Sequence, residues 1–271
     1  MTKKIVLHQS TAWLKHRLSS WNTGGEGVHS PYLFEWVRMV MSDKNTYYRW
    51  ADIEQCRHEL LKCRVEIECA SDCSLGAGCC MRHRCQVRDM AKRSLQEKPY
   101  SQMLFRLVNW LGHDLRTGYK GLSIIEIGSG VGLTTAYLAG VDTRDVVLSC
   151  DGCEAMVKIA RENLEKLGLM NVVCHEGMMP KAMLDEISEI DIAVVDLIRT
   201  SFTMDYFDSV TQKIHEKSVL VLNNIHYDTA SEDLWKQICQ DKRVTTTIDL
   251  YQMGLVFFDK HYWKRNYIMR L

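Results

Sequence analysis

A glycine-rich stretch between an apolar run and a helix is the first part of this chain that could do chemistry. Residues 128–132 read Gly-Ser-Gly-Val-Gly; they follow the apolar run 122–127 and precede Leu-Thr-Thr-Ala-Tyr-Leu-Ala. Glycines let the backbone approach a ligand closely, and the first N–H groups of the following helix lack partners within the helix. The stretch therefore predicts a strand, a ligand-binding turn and a helix.

The spacing of acids and glycines around this turn indicates what it binds. A dinucleotide fingerprint needs Gly-x-Gly-x-x-Gly, and Leu133 stands at the third glycine position. Glu126 can accept a cationic amino group but would repel a pyrophosphate, and Asp151, about twenty residues on, can accept two ribose hydroxyls. The pattern favours S-adenosylmethionine over NAD. The predicted cofactor residues are Glu126, Gly128, Ser129, Gly130, Asp151, Gly152, Cys153, Glu176, Gly177 and Asp196.

The composition limits the partners that we expect. The chain has 271 residues, with 34 basic and 34 acidic side chains, so no net charge draws it to nucleic acid or to a membrane surface. No apolar run approaches the roughly 18 residues of a membrane span, and the first ten residues do not resemble a secretion signal. We therefore expect a cytoplasmic protein that binds neither nucleic acid nor a membrane. The oligomeric state is left open.

Cysteines are concentrated early in the chain. Seven lie between positions 56 and 85, namely Cys56, Cys63, Cys69, Cys73, Cys79, Cys80 and Cys85. The paired Cys-x-x-Cys spacing of zinc sites is absent, and a chain without an export signal keeps its thiols reduced. We expect reduced, partly buried thiols, with a zinc site that includes His58 or His83 as the alternative.

The predicted secondary structure changes near residue 120. Residues 1–118 are helical in pattern, with predicted helices after Ser30-Pro31, over 47–61, over 88–95 and from Pro99. From 119 to 271, apolar strands alternate with helices, which is typical of a parallel α/β sheet. Strands are predicted at 122–127, 146–150, 172–174, 190–195 and 218–222, and 244–250 with 254–258 as an antiparallel hairpin. We predict a cofactor-binding domain over 119–271 and a helical cap over 1–118.

Several stretches of the chain resemble a known family. They lie at 27–32, 75–78, 103–108, 125–139, 151–153, 206–207, 224–227 and 254–258. These motifs are similar to those of an uncharacterised Bacteroidetes group of class I S-adenosylmethionine-dependent methyltransferases, which is in turn similar to small-molecule O-methyltransferases. The resemblance implies a Rossmann-like, seven-stranded sheet with its last strand antiparallel. It also implies S-adenosylmethionine as cofactor and methylation of an oxygen of a small molecule.

The chain departs from this family after the fourth and fifth predicted strands. Relatives are expected to carry Asp-Gly-Asn-His-Arg after the fourth strand, where residues 196–200 read Asp-Leu-Ile-Arg-Thr. They tend to carry Asp-Asp-Ile-His-Trp-Ser after the fifth strand, where residues 223–228 read Asn-Asn-Ile-His-Tyr-Asp. The motifs expected to bind the cofactor are therefore kept, whereas the two stretches expected to face the methyl acceptor have changed. A cofactor-binding protein without catalysis is therefore one alternative function, and an NAD-dependent dehydrogenase is a second.

Polar residues at the predicted carboxyl ends of these strands are the candidates for catalysis. An acceptor hydroxyl must lose a proton, and we predict His226 as the base, with Asp196 and Asn224 beside it. His226 could equally orient its loop, and Asp196 could cap a helix. Predicted substrate-binding residues are His29, Tyr32 and Arg199, the last with a surface ion pair as its alternative.

We predict no metal site. Metal-dependent O-methyltransferases place an aspartate after the fourth strand and an Asp-Asn pair after the fifth, where this chain has Asp196, Asn223 and Asn224. One negative charge is therefore missing, and Mg²⁺ usually needs one or two carboxylates.

Overall fold

The N-terminal part of the chain is mainly helical. The computed structural model describes residues 3–20, 30–69, 83–116, 120–260 and 264–271. Its first elements are α1 (Lys3–Ser19), α2 (Pro31–Trp36) with a following π-helical turn (Val37–Met41), α3 (Tyr48–Lys62), β1 (Glu66–Cys69), β2 (His83–Gln86), α4 (Val87–Ser94) and α5 (Lys98–Leu115). The four predicted helices are confirmed. The helix α1 and the antiparallel pair β1–β2 were not predicted.

Strands and helices alternate through the rest of the chain. In order they are β3 (Ser123–Ile127), α6 (Leu133–Ala139), β4 (Val146–Asp151), α7 (Glu154–Lys166), β5 (Val172–Glu176), α8 (Lys181–Glu186), β6 (Ile190–Asp196), α9 (Met204–Thr211), β7 (Ile214–Asn223), α10 (Thr229–Gln240), β8 (Thr246–Asp249), β9 (Met253–Phe257) and β10 (Arg265–Ile268). Among the described helices, none has the length and hydropathy that a membrane span requires.

The large sheet has the order β10-β8-β9-β7-β6-β3-β4-β5. Only β9 runs antiparallel to its neighbours, β7 and β8, so the predicted terminal hairpin is confirmed. The strand β10 pairs in parallel with β8 and adds an eighth strand that the sequence analysis missed. Its four residues, Arg-Asn-Tyr-Ile, are exposed or half-buried at the sheet edge, so they lack the apolar pattern of the inner strands.

Both faces of the sheet are covered. Side chains of a strand alternate between faces, so Ile124 and Val194 join one core while Ile125 and Val195 join the other. The first core also contains residues of α2, α3 and α5, and the second contains residues of α8, α9 and α10. The N-terminal helices thus share a hydrophobic core with one face of the sheet. The domain boundary at 118/119 remains a prediction.

The helix α5 crosses the sheet from its carboxyl edge, where the parallel strands end, to its amino edge. Near the start of α5, the Tyr100 hydroxyl donates to the Leu250 carbonyl at 2.8 Å, just after β8. Beyond its end, Arg116 pairs with Asp145, which precedes β4. The carboxyl edge is where an open α/β sheet binds ligands, and it is covered by the segment 94–97 that leads into α5.

Candidate functional site

The predicted glycine turn lies at the carboxyl end of β3. Gly128, Gly130 and Gly132 have φ angles of 90°, 60° and 82°, a conformation that other residues rarely adopt. A Cβ atom at Gly132 would also lie 2.7 Å from the Cβ of Ala160. Conformation and packing therefore both require glycine at this turn, beyond any need for close approach to a ligand.

Asp151, at the end of β4, faces this turn. One oxygen of its carboxylate, Oδ2, accepts a hydrogen bond from the Gly130 N–H at 2.8 Å, and Oδ1 accepts from the Cys153 N–H at 3.0 Å. The same Oδ2 lies 2.7 Å from Nη2 and 3.1 Å from Nε of Arg199. Asp151 is 2% exposed and Arg199 is 5% exposed. The group predicted to hold the ribose is thus already in a buried ion pair.

The Arg199 side chain runs along the glycine turn. If Gly128 carried a Cβ, that atom would lie 3.1 Å from the Cβ of Arg199. A Cβ on Gly130 would lie 3.6 Å from the guanidinium carbon of Arg199. Burial lowers the pKa of Arg199, but the adjacent carboxylates of Asp151 and Asp196 more than offset this and raise it overall. The guanidinium is therefore charged at every relevant pH.

Glu126 is buried beneath the turn. Its Oε2 accepts from the Thr135 hydroxyl at 2.5 Å and from the Ser149 hydroxyl at 3.4 Å. Burial raises the pKa of Glu126 to about 7, against the lowering effect of those two hydrogen bonds. Its described contacts are with α6 and β4, so its predicted role in holding an amino group stays a prediction.

The other predicted cofactor residues lie around Asp151. Ser129 is buried and its N–H donates to the Cys150 carbonyl at 3.2 Å. Gly177 has a φ of 98° and its N–H donates to the Asp151 carbonyl at 2.8 Å, which brings the end of β5 beside the end of β4. Gly152 and Glu176 are exposed at these strand ends, and Cys153 is buried.

Asp196 and Asn224 meet across the ends of β6 and β7. The Asn224 side-chain amide donates to Asp196 Oδ1 at 3.0 Å, and the Ile198 N–H donates to the same oxygen at 2.9 Å. Burial raises the pKa of Asp196, and the charge of Arg199 offsets part of that rise. Asn224 has a φ of 66°, which asparagine tolerates better than most residues.

His226 is held by an aspartate that the sequence analysis missed. Its Nε2 lies 2.7 Å from Oδ2 of Asp249, and the Tyr251 ring stacks on the imidazole at 5.7 Å between centroids. The other oxygen of Asp249 lies 3.3 Å from Nε2 of His16 on α1. The Nδ1 atom of His226 is buried and has no hydrogen-bond partner among the described residues.

Asp249 is ionised in this arrangement. Burial raises its pKa, but hydrogen bonds with His16 and His226 outweigh that effect and hold the pKa well below the usual range of an aspartate. Asp249 could have been predicted as a site residue from its position at the end of β8, because that strand ends at the same sheet edge as β6 and β7. His16 could not have been predicted in the same way, because no motif surrounds it in the sequence.

Asp196, Asn224 and His226 border one cavity, which we call the β6–β7 crevice. It has a volume of about 240 Å³. The lining residues are Gln9, Arg93, Ser94, Leu95, Gln96, Glu97, Asp196, Ile198, Asn224, His226, Tyr227, Tyr251 and Gln252. All three predicted catalytic residues are therefore brought together, beneath the segment that leads into α5.

The predicted substrate residues are not brought together there. Arg199 belongs to the glycine turn and not to the lining of the β6–β7 crevice. Tyr32 packs on Trp110 at 4.8 Å, and Trp110 lies about 18 Å along α5 from the end near the crevice. Neither the arginine's partner nor the direction of α5 can be read from spacing, and the substrate-binding roles of both residues remain predictions. His29 lies outside the described residues.

The early cysteines form no described metal site. Within the described ranges, no group of three or more His, Cys, Asp or Glu side chains could hold a metal ion. Cys56 is buried beside Asn163, while Cys63 and Cys85 are half-buried. Cys73, Cys79 and Cys80 lie outside the described residues, as does the stretch 75–78.

Comparison with known proteins gives a partial sequence match. Residues 93–183 match the family model described as protein-L-isoaspartate(D-aspartate) O-methyltransferase (PCMT). Protein-L-isoaspartate O-methyltransferase of Thermotoga maritima is 29% identical over 42% of this chain and 36% of its own length. The chain covers between 33% and 44% of the length of the curated relatives that it matches.

Solved structures match over much more of the chain. A methyltransferase from Geobacter sulfurreducens aligns with a TM-score of 0.53 and 13% identity, covering 84% of this chain and 98% of that one. The O-methyltransferase from Bacillus cereus, solved in complex with SAH, aligns with a TM-score of 0.50 and 15% identity, covering 83% and 97%. The fold is that of the class I S-adenosylmethionine-dependent methyltransferases.

The predicted fold and the resemblance to class I methyltransferases are thereby confirmed. S-adenosylmethionine is the methyl donor of this class. The matched segment 93–183 contains the glycine turn and Asp151 but ends before Asp196, Asn224 and His226.

Proposed function

We propose that this class I methyltransferase transfers a methyl group from S-adenosylmethionine to an oxygen of a small molecule. One observation carries the proposal: a cofactor turn and a histidine–aspartate pair open on the same edge of the sheet. Gly130 and Asp151 mark the cofactor side, and His226 with Asp249 marks the acceptor side. An in-line methyl transfer needs both groups aligned along one edge.

The backbone conformation of the glycine turn is compatible with binding of S-adenosylmethionine. Three glycines at positive φ leave the turn without side chains, and Asp151 offers two carboxylate oxygens at the end of β4. The bound cofactor supplies a methyl group made electrophilic by its sulfonium. Asp151 would accept from the ribose, provided that Arg199 leaves it.

The acceptor side would bind and deprotonate a hydroxyl. Because Asp249 engages Nε2 of His226, the imidazole is held in one orientation and Nδ1 is left to take a proton. The Asn224 amide donates to Asp196, so these two side chains form a fixed polar wall beside the histidine. A volume of about 240 Å³ suits an acceptor smaller than a drug-sized ligand.

Two observations bear on the alternatives. A cofactor-binding protein without turnover is favoured by the Arg199–Asp151 pair, because that pair occupies the carboxylate that the ribose needs. A nicotinamide dehydrogenase is disfavoured by the antiparallel β9 and by the likeness to solved methyltransferases. Methylation of isoaspartyl residues is what the Thermotoga maritima relative is named for, and the match to the family model ends at residue 183, before Asp196, Asn224 and His226.

The proposal is tested by following label from methyl-labelled S-adenosylmethionine into a panel of catechols, phenols, small carboxylic acids and an isoaspartyl peptide. We expect transfer to a small-molecule hydroxyl. Transfer to the peptide alone would replace the small-molecule proposal with a protein substrate. Cofactor binding without transfer to any acceptor would favour the non-catalytic alternative.

A further inference from the structure

The Arg199–Asp151 ion pair lies at the position where the cofactor's ribose would bind. Two nitrogens of the guanidinium approach a single carboxylate oxygen, Oδ2, which also accepts from the Gly130 N–H. Both side chains are at least nine-tenths buried. Oδ2 therefore already faces three donor nitrogens, so a ribose hydroxyl could bind this oxygen only by displacing the guanidinium.

The backbone that carries Arg199 is anchored independently of this pair. The Thr200 hydroxyl donates to the Asp196 carbonyl at 2.7 Å, and the Arg199 N–H points to the same carbonyl at 3.3 Å. The segment that follows β6 is therefore held by its own hydrogen bonds. Rotation of the side chain alone would free Asp151, since arginine has several rotatable bonds between its backbone and its charge.

A second carboxylate lies near the rotated side chain. The Cβ atoms of Asp196 and Arg199 lie 3.0 and 3.1 Å from the position that a Cβ on Gly128 would take, so the two side chains leave the backbone close together. The charge of Arg199 also lowers the pKa of Asp196, against the effect of burial. Asp196 lines the β6–β7 crevice, from which the Arg199 side chain is now absent. A guanidinium that left Asp151 would find this carboxylate without any movement of the backbone.

We propose that Arg199 determines cofactor affinity by competing with the ribose hydroxyls for Asp151, and that bound cofactor turns it toward Asp196. This inference rests on the proposed function, because it takes the glycine turn as the cofactor site. Cofactor binding would then add a positive charge beside the β6–β7 crevice. The acceptor would meet that charge only once the methyl donor is in place.

Calorimetric titration with S-adenosylhomocysteine tests the competition, with Arg199→Met as the variant. Methionine keeps much of the side-chain bulk and removes the charge. We expect Arg199→Met to bind S-adenosylhomocysteine at least about tenfold more tightly than the unmodified protein, since no buried ion pair must be broken. An affinity that is unchanged would overturn the proposal. A weaker affinity would overturn it too, and would make Arg199 a direct cofactor ligand.

Arg116→Met is the matched control. Arg116 pairs with Asp145, and its side chain is 8% exposed, close to the 4% of the Arg199 side chain. That pair lies at the amino edge of the sheet, so its loss should leave the affinity for S-adenosylhomocysteine unchanged. An equal gain in both variants would attribute the effect to general loosening and overturn the proposal.

Arg199→Lys provides a second variant if Arg199→Met does not fold. Lysine keeps the charge but loses the fork of donors that places two nitrogens on Asp151. We expect an intermediate gain in affinity, and no gain would contradict the proposal. If all proteins bind S-adenosylhomocysteine with equal affinity, the proposed competition between Arg199 and the ribose is wrong, but the proposed function stands. Absence of binding in the unmodified protein and in every variant removes the proposed function and this inference with it.

Discussion

The Nε2 atom of His226 lies 2.7 Å from Oδ2 of Asp249, and the histidine lines the β6–β7 crevice. The contact fixes the imidazole, and in the proposed mechanism the ionised aspartate would stabilise the imidazolium formed when Nδ1 takes a proton. Orientation by Asp249 and an Nδ1 without a partner among the described residues are the two observations that support His226 as the proposed general base.

Replacement of His226 by glutamine should lower the rate of methyl transfer by about 10²–10⁴-fold, the usual contribution of a general base. The rate is measured at saturating cofactor, and binding of S-adenosylhomocysteine should be unchanged. His215→Gln is the matched control, because His215 pairs with Asp191 at 2.9 Å at the opposite edge of the sheet. Equal losses in both variants would show that His226 acts on stability and not on chemistry.

Asp249→Asn should also reduce turnover, because an amide cannot stabilise the imidazolium as a carboxylate does. The loss should be smallest at low pH within the active range, because an imidazole without its carboxylate partner is protonated less readily there. A pH–rate profile of the variant checks this, since its lower limb should shift relative to that of the unmodified protein. A uniform loss at every pH would assign Asp249 a structural role only.

The buried carboxyl of Glu126 should make stability depend on pH. Its pKa of about 7 in the folded state exceeds the ordinary 4.5, so the folded protein binds this proton more tightly than the unfolded chain does. The free energy of unfolding should therefore fall as pH rises from about 4.5 to 7, by up to about 3 kcal/mol. Glu126→Gln should lack that fall, whereas the exposed Glu165→Gln should retain it. Parallel pH profiles for all three proteins would contradict the assignment.

Alanine substitutions at two glycines with similar φ angles should distinguish the cost of backbone strain from the cost of a steric clash. Gly132 and Gly168 have φ angles of 82° and 67°, but only at Gly132 would a Cβ meet a neighbour closer than 3 Å. Gly168→Ala should cost about 1–2 kcal/mol of stability from backbone strain alone. Gly132→Ala should cost a further 1–3 kcal/mol from the clash with Ala160. Equal costs in chemical denaturation would mean that the turn relaxes.

Methyl transfer should survive removal of divalent metal. The positions that would hold Mg²⁺ carry one carboxylate, Asp196, and two amides, Asn223 and Asn224. The Asn224 amide also turns its N–H group toward Asp196, so it presents a donor where a metal needs an oxygen. EDTA should therefore leave the rate unchanged. Loss of activity with EDTA and recovery with Mg²⁺ would establish a metal-dependent mechanism.

The fold was largely predictable because its strands are short apolar runs between helices. The antiparallel hairpin could be read from two apolar runs only a few residues apart, and the structure places them as β8 and β9. The strand β10 could not be read, because its polar sequence pairs only once β8 supplies an edge. The helix α1 was missed because it carries little amphipathic pattern.

The site was predictable where each residue follows a strand directly. Asp151, Asp196 and Asn224 lie at strand ends, so parallel topology alone brings them to one edge. The partner of Arg199 was not predictable, because side-chain direction decides between Asp151 and the crevice. His16 was missed for another reason: it is 233 residues from Asp249 in sequence, and only tertiary packing brings them together.

The central claim is that the glycine turn binds S-adenosylmethionine, and calorimetric titration of the unmodified protein tests it most directly. S-adenosylhomocysteine and NAD are titrated separately under the same conditions. We predict saturable binding of S-adenosylhomocysteine at one site per chain and no binding of NAD. Binding of NAD in place of S-adenosylhomocysteine, or of neither ligand, would contradict the account.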